Sequence, residues 1–123
     1  MQLLAIAAGG ALGAVFRFWL STATYAMLGR GFPYGTLVVN ILGSFLMGIA
    51  TVLLIERLAI SSEWRAAILI GLLGAFTTFS TFSMETYNLV IDGALFKAAL
   101  NVLASVILCL LAVWLGIVLG RQI

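Results

Sequence analysis

The chain has little charge and almost none of the residues that bind metals or form disulfides. Its 123 residues include no histidine, one cysteine, one proline, and only six Lys or Arg and four Asp or Glu. Without histidine and with a lone cysteine, disulfide frameworks and the usual zinc sites are excluded. No cluster of Lys and Arg supports a nucleic-acid partner. Soluble domains carry about 25% charged residues, whereas this chain has 8% and is 64% hydrophobic, which indicates a membrane protein.

Long apolar runs account for most of the sequence. A helix that spans a bilayer needs about 20 mostly apolar residues, and four segments qualify. Because the first charged residue is Arg17, the first run is expected to be a retained span and not a cleaved signal peptide. We predict a single four-helix transmembrane domain over residues 1–123, with spans at about 3–28, 36–55, 64–91 and 95–119.

The few basic residues give almost no orientation signal. Four spans place both termini on one side of the membrane, and the Lys and Arg excess in short loops normally sets the orientation. The two sides carry three and two basic residues: Arg57, Arg65 and Arg121 against Arg30 and Lys97. Two interpretations remain open, a chain with its termini inside and a chain that inserts both ways and pairs antiparallel.

Small residues recur along the first two spans and allow close approach of helices in membranes. A bundle of four short helices is thin for enclosing a pore, so we expect a homodimer or larger assembly. Packing within one chain would also explain the small residues, which are Gly9, Gly10, Gly13, Gly43, Ser44 and Gly48.

Hydroxyl groups are concentrated in the third span, in "GAFTTFSTFSMETY" (Gly74–Tyr87). One or two could bond back to helix carbonyls, but five within 77–83 lie on all faces of a helix. Ser and Thr are mediocre helix formers, and two glycines lie just upstream. We therefore predict that this helix breaks near mid-membrane. Such backbone is tolerated where it is buried in protein or lines a cavity, and its freed polar groups can bind ions.

Aromatic rings and a membrane-embedded amide lie in the same part of the predicted bundle. Phe79 and Phe82 are flanked by hydroxyls, and ring edges carry partial positive charge. Asn40 in the second span has donors and an acceptor to satisfy. Since hydroxyls both donate and accept, these residues alone indicate a small dimeric channel or transporter and leave the sign of the ion open.

Three motifs in order resemble one known family, the Fluc (CrcB) fluoride channels of bacteria, archaea and lower eukaryotes. They are "GGALGAVFRFWL" (Gly9–Leu20), "GTLVVNILGSFLMG" (Gly35–Gly48) and "GLLGAFTTFSTFSMET" (Gly71–Thr86). The resemblance covers essentially the whole chain. It implies an all-α protein of the plasma (bacterial inner) membrane, with four transmembrane helices, the third broken near mid-membrane, in an antiparallel dual-topology homodimer. It also implies passive export of cytoplasmic fluoride through two pathways.

The resemblance assigns roles to particular residues. The carbonyls of Gly74 and Thr77 would hold a structural Na⁺ at the dimer interface, while Arg17 and Glu85 would belong to the vestibule. The fourth span departs from the family, because Val113 takes a position where a polar side chain is common. The expected fluoride pathway comprises Asn40, Phe79, Phe82, Ser80, Thr81, Thr36, Ser105 and Cys109.

Two other classes share some of these features. Proton-coupled exporters of the small multidrug-resistance type have four spans and antiparallel dimers, but they need a carboxylate in the first span, and Leu3–Leu28 contains none. A non-conducting assembly factor has no reason to line a span with hydroxyls. No feature indicates an enzyme.

Overall fold

All regular structure in the chain is helical, in a computed structural model that describes residues 1–123. Helix α1 (Gln2–Leu28) is followed by α2 (Tyr34–Thr51), which continues as a π-helical segment (Val52–Arg57). Helix α3 covers residues 62–76 and is π-helical over Ala66–Leu73. Helices α4 (Phe79–Ile91) and α5 (Leu95–Gln122) complete the chain.

Four stretches are long and apolar enough to cross a membrane, which confirms the prediction of an all-helical protein with four spans. They are Gln2–Leu28, Tyr34–Arg57, Ser62–Ile91 and Leu95–Gln122. The third stretch contains both α3 and α4. The connections between stretches are short, and glycines in the left-handed region form two of them. Gly29 (φ 80°) ends α1, and Gly93 (φ 76°) lies in the turn after α4.

The helices pack in two close pairs, α1 with α3 and α2 with α5. In the first pair, a Cβ added at Gly13 would overlap the Leu72 carbonyl; in the second, one added at Gly116 would overlap the Phe45 carbonyl. Gly9 and Gly48 are equally confined by the backbone of the facing helix, whereas a Cβ at Gly10 would make only ordinary van der Waals contacts, the nearest at 3.9 Å. Most of these small residues therefore serve packing within one chain, and they no longer argue for a second copy.

Polar contacts tie the loops at both ends of the bundle. At the end that holds both termini, Arg57 donates to the Arg121 carbonyl and Arg121 lies 3.6 Å from Glu56. At the opposite end, the Lys97 ammonium donates to the Gly31 carbonyl at 2.9 Å. Between these ends most apolar side chains are exposed on the single chain, as expected for a surface in contact with lipid or with another apolar helix.

Candidate functional site

The third membrane stretch contains two residues with extended backbone. Helix α3 ends at Phe76, Thr77 (φ −87°, ψ 157°) and Thr78 (φ −150°, ψ 119°) are extended, and α4 begins at Phe79. The Thr78 hydroxyl caps α4 by accepting from the Thr81 N–H at 3.2 Å. A side-chain cap of this kind satisfies one of the amide groups that every helix start leaves without a helical partner.

Asn40 on α2 pairs with the extended backbone in the way a neighbouring strand would. Its Nδ2 donates to the Thr78 carbonyl at 3.0 Å, and its Oδ1 accepts from the Thr78 N–H at 2.8 Å. The two bonds fix the orientation of the amide. In the reversed orientation the Asn40 NH₂ group would face the Thr78 N–H, and the amide oxygen would face the Thr78 carbonyl oxygen. With Oδ1 committed to Thr78, Asn40 retains one N–H for another partner.

Most hydroxyls near the interruption bond locally. Thr77 and Ser83 donate to carbonyls four residues earlier, at 3.1 and 2.9 Å. The Thr78 hydroxyl donates to Thr81 Oγ1 at 3.1 Å and lies 3.2 Å from Ser80 Oγ. Because a hydroxyl has a single hydrogen, Ser80 must donate to Thr78, and the hydrogen of Thr81 remains free. Thr81 is therefore the free donor of this trio, and its side chain is exposed on the single chain.

An open cavity of about 420 Å³ lies beside the interruption, between α2, α4 and α5. The rings of Phe79 and Phe82 form part of its wall, with centroids 5.4 Å apart and planes inclined by 48°. No charged residue lines it. Val113, the apolar residue singled out in the fourth span, lies in the cavity wall. Of the residues singled out from the sequence, the cavity brings together Asn40, Thr77, Phe79, Phe82, Ser105 and Cys109.

Two further predicted residues, Thr36 and Glu85, form a separate cluster with Tyr25. The Glu85 carboxylate accepts from the Thr36 hydroxyl at 2.5 Å and from the Tyr25 hydroxyl at 3.1 Å, which joins α1, α2 and α4. The Arg30 guanidinium lies 4.6 Å from the centre of the Tyr25 ring, and a Cβ at Gly35 would overlap that ring. Sequence reasoning missed Tyr25, since nothing in the first span alone shows that its hydroxyl meets a carboxylate.

The two positions expected to bind a cation have carbonyls without their usual partners. The N–H four residues after Gly74 is that of Thr78, which binds Asn40 instead. The N–H four residues after Thr77 is that of Thr81, which binds the Thr78 hydroxyl. Gly74 is also exposed on the single chain. Carbonyl oxygens released at an unwound helix suit a hard cation such as Na⁺.

Arg17 is half-buried on α1 and does not line the cavity. The chain's one ion pair joins Arg121 and Glu56, so Arg17 has no carboxylate partner. The structure thus separates Arg17 from Glu85, the other residue expected in the vestibule.

Sequence reasoning also left Asn101 and Thr86 without a role. Asn101 on α5 is only 1% exposed, and its Nδ2 donates to the Thr86 hydroxyl at 2.8 Å. That hydroxyl in turn donates to the Phe82 carbonyl at 2.7 Å. The sequence feature that could have identified Asn101 is its spacing of four residues from Ser105, with Cys109 four residues further, which places all three on one face of α5.

Comparison with known proteins identifies the family. The family model described as CrcB-like protein, Camphor Resistance (CrcB), matches residues 4–117. The chain belongs to the CrcB family. This membership confirms the resemblance drawn from the three motifs and the expectation that the protein is not an enzyme, and it agrees with a multi-pass membrane protein.

Three curated relatives align with all or nearly all of this chain, and each is named fluoride-specific ion channel FluC. The relative from Methylococcus capsulatus is 59% identical over 123 residues, all of this chain, which spans about half (54%) of that relative's length. The relative from Magnetococcus marinus is 55% identical over 123 residues and all of both chains. That from Hydrogenovibrio crunogenus is 52% identical over 122 residues, which are 99% of this chain and 92% of the relative.

Proposed function

We propose that the chain forms a fluoride-selective channel through which cytoplasmic fluoride leaves the cell by passive diffusion. The observation that carries the proposal is the amide of Asn40, fixed by Thr78 so that its oxygen faces the Thr78 N–H while one N–H of its own has no partner in the chain. An amide held in this way offers a donor, which suits an anion. The relatives' name, fluoride-specific ion channel, supports fluoride as that anion.

The cavity has the chemistry that conduction of a small anion requires. A permeating ion must be stabilised enough to lose water yet weakly enough to leave. The walls hold no Lys or Arg, which would bind fluoride too firmly. Asn40 and the positive edges of Phe79 and Phe82 would instead share the stabilisation. Ser105 and Cys109 extend the proposed polar path along the wall. Ser80 and Thr81 do not line the cavity of the single chain and would join the path at the face that a second copy covers, and Thr36 and Glu85 belong to its entrance.

A second copy of the chain completes the proposed channel. Several polar or pathway residues face outward from the single chain: Gly74, Phe79, Ser80, Thr81 and Ser83. Phe79 is 77% exposed. Polar groups and non-helical backbone near mid-membrane are tolerated only against protein or water, which favours a homodimer that covers this face. An antiparallel arrangement agrees with the weak charge bias and would give two equivalent pathways.

A structural Na⁺ is proposed at the centre of this dimer. The carbonyls of Gly74 and Thr77 have lost their helical partners, and two copies would supply four such oxygens. The ion would hold the two interrupted helices together and would not itself permeate. Dimer stability should then be greater in Na⁺ than in a large organic cation such as N-methyl-D-glucamine. Equal stability in both would contradict the site.

The proposed location is the plasma membrane, the inner membrane of a bacterium, with the interruption near mid-membrane. Hydrogen fluoride that enters from acid surroundings dissociates in the neutral cytoplasm, and the trapped anion would leave through the channel. Cysteines introduced in the loops test dual topology. Labelling of each loop from both sides is expected, and strictly one-sided labelling would contradict it.

Fluoride efflux from liposomes that contain the purified protein tests the function. We expect rapid loss of fluoride when a potassium ionophore balances charge, and no matching loss of chloride. The alternative, a proton-coupled exporter, predicts transport that requires a pH gradient. Absence of fluoride efflux, or equal efflux of chloride, would refute the proposal.

A further inference from the structure

Helix α4 carries both rings of the cavity, yet little besides side-chain bonds determines how it is turned. The extended residues Thr77 and Thr78 separate α4 from α3, so regular helical geometry does not transmit a rotation from one to the other. The α4 helix is 13 residues long and none of its residues is buried. Its orientation about its own axis therefore depends on the few bonds that reach it from neighbouring helices.

One of these bonds lies directly behind Phe82. Thr86 is four residues after Phe82, on the same face of the helix. Its hydroxyl donates to the Phe82 carbonyl at 2.7 Å and accepts from Asn101 Nδ2 at 2.8 Å. Within the chain it is the sole side-chain hydrogen bond between α4 and α5. Asn101 Oδ1 accepts from Ser105 at 3.5 Å, a long contact that leaves the bond to Thr86 as the stronger one.

The burial of Asn101 shows why this bond is specific. An amide that is 1% exposed must find partners, because an unpaired buried amide costs free energy. An apolar residue would fill the same space between α4 and α5 without that demand. It would leave the two bonds of Glu85 to Tyr25 and Thr36 as the only side-chain hydrogen bonds between α4 and another helix, whereas the amide adds a bond on the α5 side that requires the Thr86 hydroxyl to face it.

We propose that Asn101 and Thr86 are a positioning pair that sets the rotation of α4 and, through it, the direction in which Phe82 faces the cavity. Neither residue lines the cavity, so neither contacts the permeating ion there. This role rests on the proposed function, since it deepens the part that Phe82 plays in the fluoride pathway. The rotation of α4 and the direction of the Phe82 ring are also measurable without a transport assay.

The test uses Thr86→Val, which keeps the shape of the side chain and removes the hydroxyl. Ser83→Ala is the matched control, because the Ser83 hydroxyl donates to the Phe79 carbonyl in the same manner at 2.9 Å but forms no hydrogen bond to another helix of the chain. Thr86→Ser keeps the hydroxyl and should restore the wild-type state. We expect fluoride efflux to fall about tenfold in Thr86→Val, the upper range for one hydrogen bond in a membrane. The two other variants should stay within about twofold of wild type.

A spectroscopic measurement separates positioning from general loosening. With 4-fluorophenylalanine placed at Phe82, we expect the ¹⁹F resonance to shift or broaden in Thr86→Val and to stay unchanged in Ser83→Ala. The same label at Phe76, which is buried on α3, should not respond to either change. If Thr86→Val fails to fold, Asn101→Ala removes the bond from the other side and should give the same pattern.

The outcomes distinguish this proposal from the proposed function. An unchanged Phe82 resonance in Thr86→Val and Asn101→Ala, or equal changes at Phe76 and Phe82, would overturn the positioning role. A Phe82-specific change in a protein that transports no fluoride would support the positioning role and refute the channel.

Discussion

Replacement of Asn40 by aspartate separates its structural role from its role as a donor. The carboxylate still accepts from the Thr78 N–H, which now lies 2.8 Å from Oδ1, but it no longer donates to the Thr78 carbonyl, 3.0 Å from Nδ2. One hydrogen bond between membrane helices contributes about 0.6–1.7 kcal/mol. The second carboxylate oxygen would also face the Thr78 carbonyl oxygen, which adds repulsion, so folding of the variant is checked before its flux is interpreted.

The effect on the ion is expected to be much larger. Two negative charges about 4 Å apart repel by about 4 kcal/mol at an effective dielectric constant of about 20. Since 1.4 kcal/mol corresponds to a factor of about ten, Asn40→Asp should reduce fluoride flux by about a thousandfold. The variant should elute from size-exclusion chromatography at the same volume as the wild type, and a fluoride electrode measures efflux from liposomes.

Gln2→Glu is the matched control for this substitution. Gln2 is exposed at the start of α1, at the opposite end of that helix from Tyr25 and the Glu85 cluster, and it does not line the cavity, so the same added charge there should leave flux within about threefold of wild type by screening alone. If Asn40→Asp conducts at the wild-type rate, the amide donor has no part in conduction. If both variants lose flux equally, the effect is one of overall charge.

Three further predictions concern the rings, the helix contacts and the carboxylate cluster. Phe79→Ile and Phe82→Ile should each lower fluoride efflux about fivefold if the ring edges contribute the roughly 1 kcal/mol that oriented aromatic contacts supply; wild-type efflux in both would refute their contact with the ion. Gly13→Ala should destabilise the folded protein by about 1–3 kcal/mol because the new methyl group overlaps the backbone of α3. Gly10→Ala, whose new methyl group would make only ordinary van der Waals contacts, should be neutral or slightly stabilising in the same detergent-unfolding assay. Equal effects at the two glycines would contradict the packing of α1 on α3. Glu85→Gln should cost about 1 kcal/mol of stability, because an amide offers one acceptor oxygen to the two hydroxyls that bind the carboxylate; unchanged thermal unfolding would show that the cluster contributes little.

The helical content of the fold was predictable because it depends on local composition. Each span is an apolar run longer than the bilayer requires, and the turns contain the glycines that reverse the chain. The hydroxyls of residues 77–83 led to the prediction of an interrupted third helix near mid-membrane. The chain has extended backbone at Thr77 and Thr78, while the depth of this point in a bilayer stays a prediction.

The partners of the polar side chains were not predictable from the sequence alone. Asn40 was singled out for its unsatisfied amide, but its pairing with the Thr78 backbone depends on how α2 crosses the interruption. Likewise, Tyr25 meets Glu85 across 60 residues of sequence. The periodicity of one helix shows which residues share a face, yet it does not specify which face of another helix they meet. The glycines illustrate the same point, since they suggested dimer contacts and instead lie between helices of one chain.

The reversal potential of the reconstituted protein in a planar bilayer tests the central claim most directly. With a tenfold gradient of sodium fluoride and equal chloride on both sides, a channel selective for fluoride should reverse near the fluoride equilibrium potential, about 59 mV in magnitude. The sign should be that of an anion current, and replacement of fluoride by chloride should abolish the current. A reversal potential of the opposite sign, or one near zero, the chloride equilibrium potential under these conditions, would contradict the account.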